Sequence, residues 1–373
     1  GARGNWPYAV SEWLVGTNSP ATLSGNLAYI TNYFSPEVVP GPNSVPSSQF
    51  VKGRLDRTGY VQQWNAGIQN QLARTVLLEI NYVASRGVKQ SIAVDLNTAL
   101  PGPGPVGTPE HPRVYSNSLG AMYMMTNQSS SIYHSLQVKL EKRFSSGLQF
   151  LSSYAWGKEI DIAGSCFWCS AHPQNPFDLK ADRAPGDFDY RHVWSFNYFY
   201  QMPFGRGKRY LSKANNIVNG LAGNWEFTGI VHYNSGGPIG VFIPGDIANI
   251  GDANPYQRPD RVMGQRQRVF VPGDRTLGWL NPAGYSTPAP YHFGNAGRNT
   301  ERGPGYIDWN VGLLKNFPLA KENRSLQFRA EFFNLLNQVS MGCILSIYGY
   351  PTFGTAFCAT GTREIQFGLK FLF

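Results

Sequence analysis

Four aspartates lie beside two arginines in one predicted loop of the sequence. These residues are Asp178, Asp182, Asp187, Asp189, Arg183 and Arg191. Clustered carboxylates suit Ca²⁺, which takes about six to eight oxygen ligands. The regular Asp-x-Asp-x-Asp-Gly spacing of a dedicated calcium loop is absent, however. We therefore favour a network of carboxylates and arginines at a strand end, with a Ca²⁺ site as the alternative.

The four cysteines form two local pairs, Cys166 with Cys169 and Cys343 with Cys358. The Cys-Phe-Trp-Cys spacing is that of a redox motif or half a zinc site. A redox motif needs a βαβ context, and zinc needs two more ligands nearby. An even count suits an oxidising compartment, although spacing alone does not fix the pairing. We expect local disulfides in two extracellular loops.

The remaining polar motifs do not indicate an enzyme. Arg206-Gly-Lys208-Arg209 is the one dense basic run, and it lacks the Gly-x-x-x-x-Gly-Lys-Ser/Thr pattern of a phosphate loop. The net charge of +9 would permit nucleic-acid binding, but the other basic residues are dispersed, so we expect no nucleic-acid partner. Six scattered His residues show no Ser-His-Asp spacing. We predict no catalytic site, metal or cofactor.

Alternation with a period of two is the main structural signal. The chain has 14% aromatic residues, 41 Gly and 26 Pro, which suits an all-β protein with long loops. No apolar run is long enough for a membrane-spanning helix, and the clearest helical candidate is the short stretch Tyr210–Leu221. Nine segments are predicted as strands: Tyr60–Gln71, Val76–Tyr82, Leu136–Glu141, Leu148–Trp156, Trp194–Met202, Trp225–Tyr233, Ile307–Leu313, Leu326–Phe333 and Thr362–Phe373.

Each predicted strand has an apolar face and a polar face. The apolar face lacks charge in its central portion, as with Ile365, Phe367 and Leu369 in the last strand. The opposite face carries charges on most strands. If the apolar face meets lipid, these charges face a water-filled lumen, where we expect most of them to form ion pairs. The lumen-facing candidates are Glu79, Lys139, Glu141, Glu226, Asp308, Arg329, Glu331, Glu364 and Lys370.

The connections between strands favour a membrane barrel over a soluble β-sandwich. Long connections (85–131, 159–190, 235–305 and the moderate 336–361) alternate with short ones, and 203–223 is intermediate. An outer-membrane barrel has short periplasmic turns and long extracellular loops. A compact sandwich would rarely hold several structureless connections of this length. The rhythm places Phe373 on the periplasmic side.

Nine strands do not complete such a barrel. Backbone groups in lipid must all be paired, and bacterial single-chain barrels have an even number of strands. The first strand would present an open edge, so we expect further strands upstream of this sequence. We assign residues 59–373 to the C-terminal part of the barrel. Residues 1–58, with Pro40-Gly-Pro and Pro46-Ser-Ser, are expected to form an extracellular loop region.

Several separated motifs resemble the barrel of TonB-dependent receptors of the Oar-like type. They are Tyr60-Val-Gln-Gln-Trp-Asn-Ala-Gly-Ile-Gln69, Leu78-Glu-Ile-Asn-Tyr-Val-Ala-Ser-Arg-Gly87, Asp187-Phe-Asp-Tyr-Arg-His192, Pro203-Phe-Gly-Arg-Gly-Lys208 and Arg329-Ala-Glu-Phe-Phe-Asn-Leu-Leu-Asn-Gln338. The final aromatic residues Phe371 and Phe373 are similar to the C-terminal signal that the outer-membrane assembly machinery recognises. The resemblance covers residues from about 58 to 373.

This resemblance implies a transporter in the outer membrane of a Gram-negative-type bacterium. The family fold is an antiparallel transmembrane β-barrel of 22 strands around an N-terminal plug, coupled to the TonB-ExbB-ExbD complex. The expected function is import of a large solute of the siderophore, glycan or peptide class. The alternatives are a passive porin-like or surface-binding barrel and a soluble β-sandwich carbohydrate-binding or adhesion protein.

Overall fold

The computed structural model describes residues 12–13, 48–52, 57–117, 119–162, 173–251, 257–269, 271, 274, 276–318 and 324–372. Its strands are β1 Glu12–Trp13, β2 Ser48–Lys52, β3 Tyr60–Ala73, β4 Val76–Asp95, β5 Met122–Ser145, β6 Leu148–Asp161, β7 Ala184–Pro185, β8 His192–Gln201, β9 Trp225–Asn234, β10 Pro238–Ile239, β11 Asp260–Arg261, β12 Tyr285–Ser286, β13 Glu301–Arg302, β14 Tyr306–Pro318, β15 Ser325–Phe333, β16 Ser340–Ile344, β17 Ala356–Thr360 and β18 Glu364–Leu372. One α-helix, α1, spans Asn216–Ala222, and 3₁₀ turns span Leu179–Asp182 and Pro282–Gly284.

One large sheet dominates the described part of the chain. Nine long strands pair antiparallel with their sequence neighbours in the order β3-β4-β5-β6-β8-β9-β14-β15-β18. Each of the nine overlaps one of the nine segments predicted from alternation, so the strand prediction is confirmed. Two predicted segments run past the strand bounds: Met202 lies beyond the end of β8, and Thr362 lies before the start of β18. The short β2 joins the far end of β5 in parallel, and β1 pairs with β2.

The pairing register carries one face without interruption from β3 to β18. Ile80 stands opposite Val138, and Ala330 stands opposite Phe367. On this face Phe367 is 68% exposed and Leu369 is 72% exposed. A β-sandwich would cover such a face with a second sheet. Among the described residues the other sheets are three two-stranded ribbons, so this apolar face has no protein cover of that kind.

The connections alternate in length as a membrane barrel requires. Two-residue turns join β3 to β4 and β5 to β6, and the β14–β15 connection (319–324) is also short. The loops 96–121, 162–191, 235–305 and 334–363 leave the opposite, extracellular end. The β8–β9 connection contains α1 and lies at the periplasmic end. No helix among the described residues is long and apolar enough to cross a membrane.

Two boundaries differ from the sequence analysis. The expected loop 85–131 is shorter, because β4 continues to Asp95 and β5 begins at Met122. Register shifts between Val88 and Ile92, with Lys89 at φ 55°, interrupt the alternation and hide this strand extension. The helix expected at Tyr210–Leu221 spans only Asn216–Ala222. Leu211 has φ 60°, and the Asn215 side chain caps the helix by accepting from Val218 N.

Candidate functional site

The face of the sheet opposite the apolar one carries charge on most strands. The register places all nine charged candidates from the sequence on this single face. On β4 and β5, Lys139 Nζ lies 3.3 Å from Glu79 Oε1 and 3.6 Å from Glu141 Oε2. These side chains remain partly exposed, so each pair adds at most about 1 kcal/mol to stability. Their role is to keep a polar surface.

The same face continues through the later strands with mixed charge. Arg329 Nη2 lies 2.6 Å from Glu331 Oε1 on β15, and Gln201 Nε2 donates to Glu226 Oε1 at 3.1 Å. Asp308 accepts from Asn310 on β14. Glu364 and Lys370 lie exposed toward opposite ends of β18. The result is a broad hydrophilic surface rather than one compact site.

The four extracellular loops form a second structural layer, which we call the cap. It comprises the described residues of 96–121, 162–191, 235–305 and 334–363. Its apolar core joins Val241, Leu280, Tyr285 and Ala296 from one loop to Phe353 from the last loop. Backbone hydrogen bonds reinforce that junction, including Trp279 N to Gly354 O at 3.0 Å. The loop 235–305 is therefore the hub of the cap.

Buried ion pairs fasten the loop 162–191 and the end of β6 to this hub. Arg258 pairs with Asp182, and both side chains are almost completely buried. Arg298 pairs with Asp161 and lies 3.6 Å from Asp187, and Arg302 pairs with Asp189, which also lies 3.1 Å from Arg191. Buried charges require such partners, because an isolated buried charge is costly.

The first cap loop is organised by a buried asparagine that the sequence analysis did not single out. Asn97 donates to Ser116 O, Leu119 O and Gly120 O, and its Oδ1 accepts from Tyr115 N and Ser116 N. Hydrogen bonds also join this first loop to the loop 235–305. Arg113 Nη2 donates to Gly251 O, and Asn249 Nδ2 donates to Gly102 O and Gly104 O.

The aspartate cluster of the sequence is thus an arginine-paired network in the structure. The arginines that neutralise it are mainly Arg258, Arg298 and Arg302, more than 70 residues along the chain. Arg191 takes part as expected, whereas Asp178 instead caps a 3₁₀ turn by accepting from Lys180 N. Within the described ranges no group of three or more acidic, His or Cys residues has the geometry of a metal site.

The structure describes one of the two cysteine pairs. Cys343 and Cys358 are joined by a disulfide that links β16 to β17 within the cap, with Cα atoms 5.3 Å apart. Cys166 and Cys169 lie outside the described residues, as does Phe373. Phe371 is exposed on the apolar face of β18.

Burial perturbs two titratable side chains in the cap. Burial raises the pKa of the Tyr285 hydroxyl, and the nearby Glu301 carboxylate raises it further. Burial also lowers the pKa of Arg268, whose guanidinium lies 3.8 Å from the ring centroid of Trp279. Both are structural consequences of packing in the hub. Neither has the partner arrangement of a general acid or base.

Taken together, the geometry offers a hydrophilic wall below a folded extracellular cap, with an apolar outer face. Such an arrangement can admit a solute through the cap and pass it along a polar surface.

Comparison with known proteins agrees with this arrangement. A family model described as outer membrane beta barrel domain matches residues 1–366. No curated protein matches the chain.

Among solved structures, the chain is similar to the outer membrane transporter YddB from Escherichia coli, with 10% identity and a TM-score of 0.47, over 89% of this chain and 35% of that one. It is also similar to the FrpB iron transporter from Neisseria meningitidis (F3-3 variant), with 12% identity and a TM-score of 0.39, over 86% of this chain and 32% of that one. The chain spans about a third of the length of these two structures.

Proposed function

Because this chain belongs to the outer membrane beta barrel domain family, we propose that it is the C-terminal part of an active solute importer. Its place is the outer membrane, in contact with the lipid bilayer. The solute class is a ferric siderophore, a glycan or a peptide. Energy comes from the TonB-ExbB-ExbD complex, which acts through an N-terminal plug domain. No enzymatic activity is part of the proposal.

The observation that supports import best is the separation of the two sheet faces. All nine charged candidates stand on one face, whereas the other face exposes large apolar side chains such as Trp64, Ile68, Phe367 and Leu369. In a membrane barrel the first face borders water and the second borders lipid. We therefore assign Glu79, Lys139, Glu141, Glu226, Asp308, Arg329, Glu331, Glu364 and Lys370 to the lumen.

The two sheet edges support a larger barrel. Among the described strands, β3 pairs only with β4, and β18 pairs only with β15. Open edges are not tolerated in lipid, so each needs a further neighbour. We propose residues 59–373 as barrel and 1–58 as an extracellular loop region, since β2 joins the extracellular end of β5. Phe371 and Phe373 remain our predicted signal for the outer-membrane assembly machinery.

Uptake measurements test the proposal. The complete gene product is expressed in a bacterial host that lacks competing transporters, with and without a functional tonB gene. The probes are ⁵⁵Fe-loaded ferrichrome, labelled cyanocobalamin, a fluorescent maltooligosaccharide and a labelled peptide. We expect uptake of one probe that a protonophore and the tonB deletion both abolish. A deletion that leaves uptake unchanged would support the passive porin-like alternative and overturn energy coupling.

A charge variant connects the result to the lumen assignment. Arg329→Gln removes a cation from the charged face, while Arg209→Gln removes one from the exposed connection between β8 and β9. We expect the first substitution to change the uptake rate of the accepted probe and the second to leave it within experimental error. Equal effects of both substitutions would contradict a lumenal position for Arg329.

A further inference from the structure

The connection between β8 and β9 is attached to the apolar, outward face of the sheet. Lys315 and Trp225 stand opposite each other on that face. Lys315 Nζ donates to Gly223 O and, at 3.4 Å, to Leu221 O, while Trp225 Nε1 donates to Leu221 O at 2.8 Å. Lys315 Nζ also lies 5.1 Å from the Trp225 ring centroid. The C-terminal end of α1 is therefore held outside the sheet, at its periplasmic rim.

This connection, residues 203–224, which we call the shelf, exposes apolar side chains beside the lipid-facing strands. Ile217 is 74% exposed and Leu221 is 72% exposed, one helical turn apart on α1. Phe204, Tyr210 and Leu211 are also exposed. An apolar cluster at the edge of a membrane surface, continuous with lipid-facing strands, has the acyl boundary of the bilayer as its natural cover.

The shelf has a defined conformation rather than that of a loose loop. Arg206 Nε donates to Ala214 O at 2.9 Å, and Arg206 N donates to Asn219 Oδ1 at 2.8 Å. The rings of Phe204 and Tyr210 lie 5.6 Å apart. The surface is therefore preorganised, and its apolar side chains remain outside in the folded state.

The charge of the shelf fits an anionic lipid surface. Residues 203–224 carry four cationic side chains, Arg206, Lys208, Arg209 and Lys213, and no Asp or Glu. Basic side chains flanking an apolar face are typical of segments that lie in a membrane interface. Tryptophan and lysine at the strand ends, as in Trp225 and Lys315, suit the same depth.

We propose that the shelf is an interfacial anchor that binds anionic phospholipid headgroups in the periplasmic leaflet of the outer membrane. Ile217 and Leu221 enter the acyl boundary, and the four cations contact lipid phosphates. This role depends on the barrel lying in the outer membrane, and it does not depend on what the barrel transports or on TonB.

Depth measurements in lipid nanodiscs test the anchor. The complete gene product carries a spin label at Ile217→Cys or, as a matched control, at Ser212→Cys, and the unsubstituted protein reports background labelling. We expect the label at 217 to collide at least several-fold less with a water-soluble nickel chelate than the label at 212, and more with oxygen. Equal nickel accessibility at both positions would overturn the anchor.

Lipid selectivity tests the headgroup. The association of spin-labelled phosphatidylglycerol is compared with that of phosphatidylcholine. Neutralising Lys208, Arg209 and Lys213 to Gln should lower the phosphatidylglycerol preference by roughly fivefold for each cation. The control triple variant Arg261→Gln/Arg266→Gln/Arg268→Gln removes the same charge from the cap and should leave the preference unchanged. If the shelf variant keeps the phosphatidylglycerol preference of the unsubstituted protein, the proposal that these cations bind lipid headgroups is wrong. The proposal is also wrong if free phosphate at low ionic strength abolishes the preference of the unsubstituted protein, because the cations would then bind phosphate rather than the lipid surface.

Discussion

At the scale of single residues, the cap depends on charges that are buried in pairs. The side chains of Arg258 and Asp182 are almost completely buried, and Asp182 also accepts from Gln174 N at 2.9 Å. Removing one member of such a pair leaves an uncompensated buried charge, which costs about 3–5 kcal/mol. A surface pair contributes about 1 kcal/mol or less. The two arginines Arg258 and Arg261, three positions apart, offer a direct comparison.

We predict that Arg258→Leu destabilises the cap by about 3–5 kcal/mol, because the Asp182 carboxylate keeps its charge without the arginine partner. Arg261 is half exposed, and its nearest guanidinium nitrogen lies 3.9 Å from Glu301. Arg261→Leu should therefore cost about 1 kcal/mol or less. Native-state hydrogen exchange of the amides around Gln174 and Arg258 measures both. Similar losses of stability for the two variants would contradict the prediction that burial sets the cost of removing a partner.

Tyr285 gives the cap a pH dependence at alkaline pH. Burial and the Glu301 carboxylate raise its pKa above the ordinary value of about 10. A raised pKa in the folded state means that the stabilising contribution is complete below about pH 10 and is lost as pH rises through the folded value. We predict that Tyr285→Phe weakens this alkaline loss of hydrogen-exchange protection around Leu280. Tyr291→Phe, at an exposed position in the same loop, should leave the wild-type profile unchanged.

At the scale of elements, β18 tests which face meets lipid. Phe367 lies on the apolar face, whereas Gln366 lies on the charged face opposite Glu331. A lysine on a lipid-facing strand position costs about 2–4 kcal/mol at the bilayer centre, and less toward either interface. We predict that Phe367→Lys lowers the yield and stability of folding into lipid vesicles, while Gln366→Lys is nearly neutral. The reverse order would mean that the two faces have been exchanged.

The elements show what the sequence could and could not predict. Strict alternation in β15 and β18 allowed the sequence to predict both strands and the face on which each side chain lies, because the side-chain period is a local property of a strand. The extension of β4 to Asp95 could not be predicted, because register shifts break the period. Only the acidic half of the network around Asp182 could be predicted. Its carboxylates are adjacent in sequence, but Arg258 and Arg298 reach them through a loop whose path no local pattern encodes.

At the scale of the whole molecule, three layers have separate physical bases. The sheet is stabilised by backbone pairing and by its apolar contact with lipid. The cap has its own small apolar core around Leu280 and Tyr285, together with buried ion pairs. The shelf joins the periplasmic rim through Lys315 and Trp225. This separation allows cap contacts to change without breaking a strand pair.

The orientation of these layers predicts which surfaces are reachable from outside the cell. Met263 is 89% exposed in the cap, while Ser146 lies in the two-residue turn between β5 and β6. We predict that Met263→Cys reacts with a membrane-impermeant maleimide on intact cells. Ser146→Cys should react only after the outer membrane is permeabilised, and the unsubstituted chain gives the background from native cysteines. If only Ser146→Cys were labelled on intact cells, the orientation that we assign to the protein in the membrane would be reversed. The cap would then face the periplasm and could not be the surface that first meets a solute from outside.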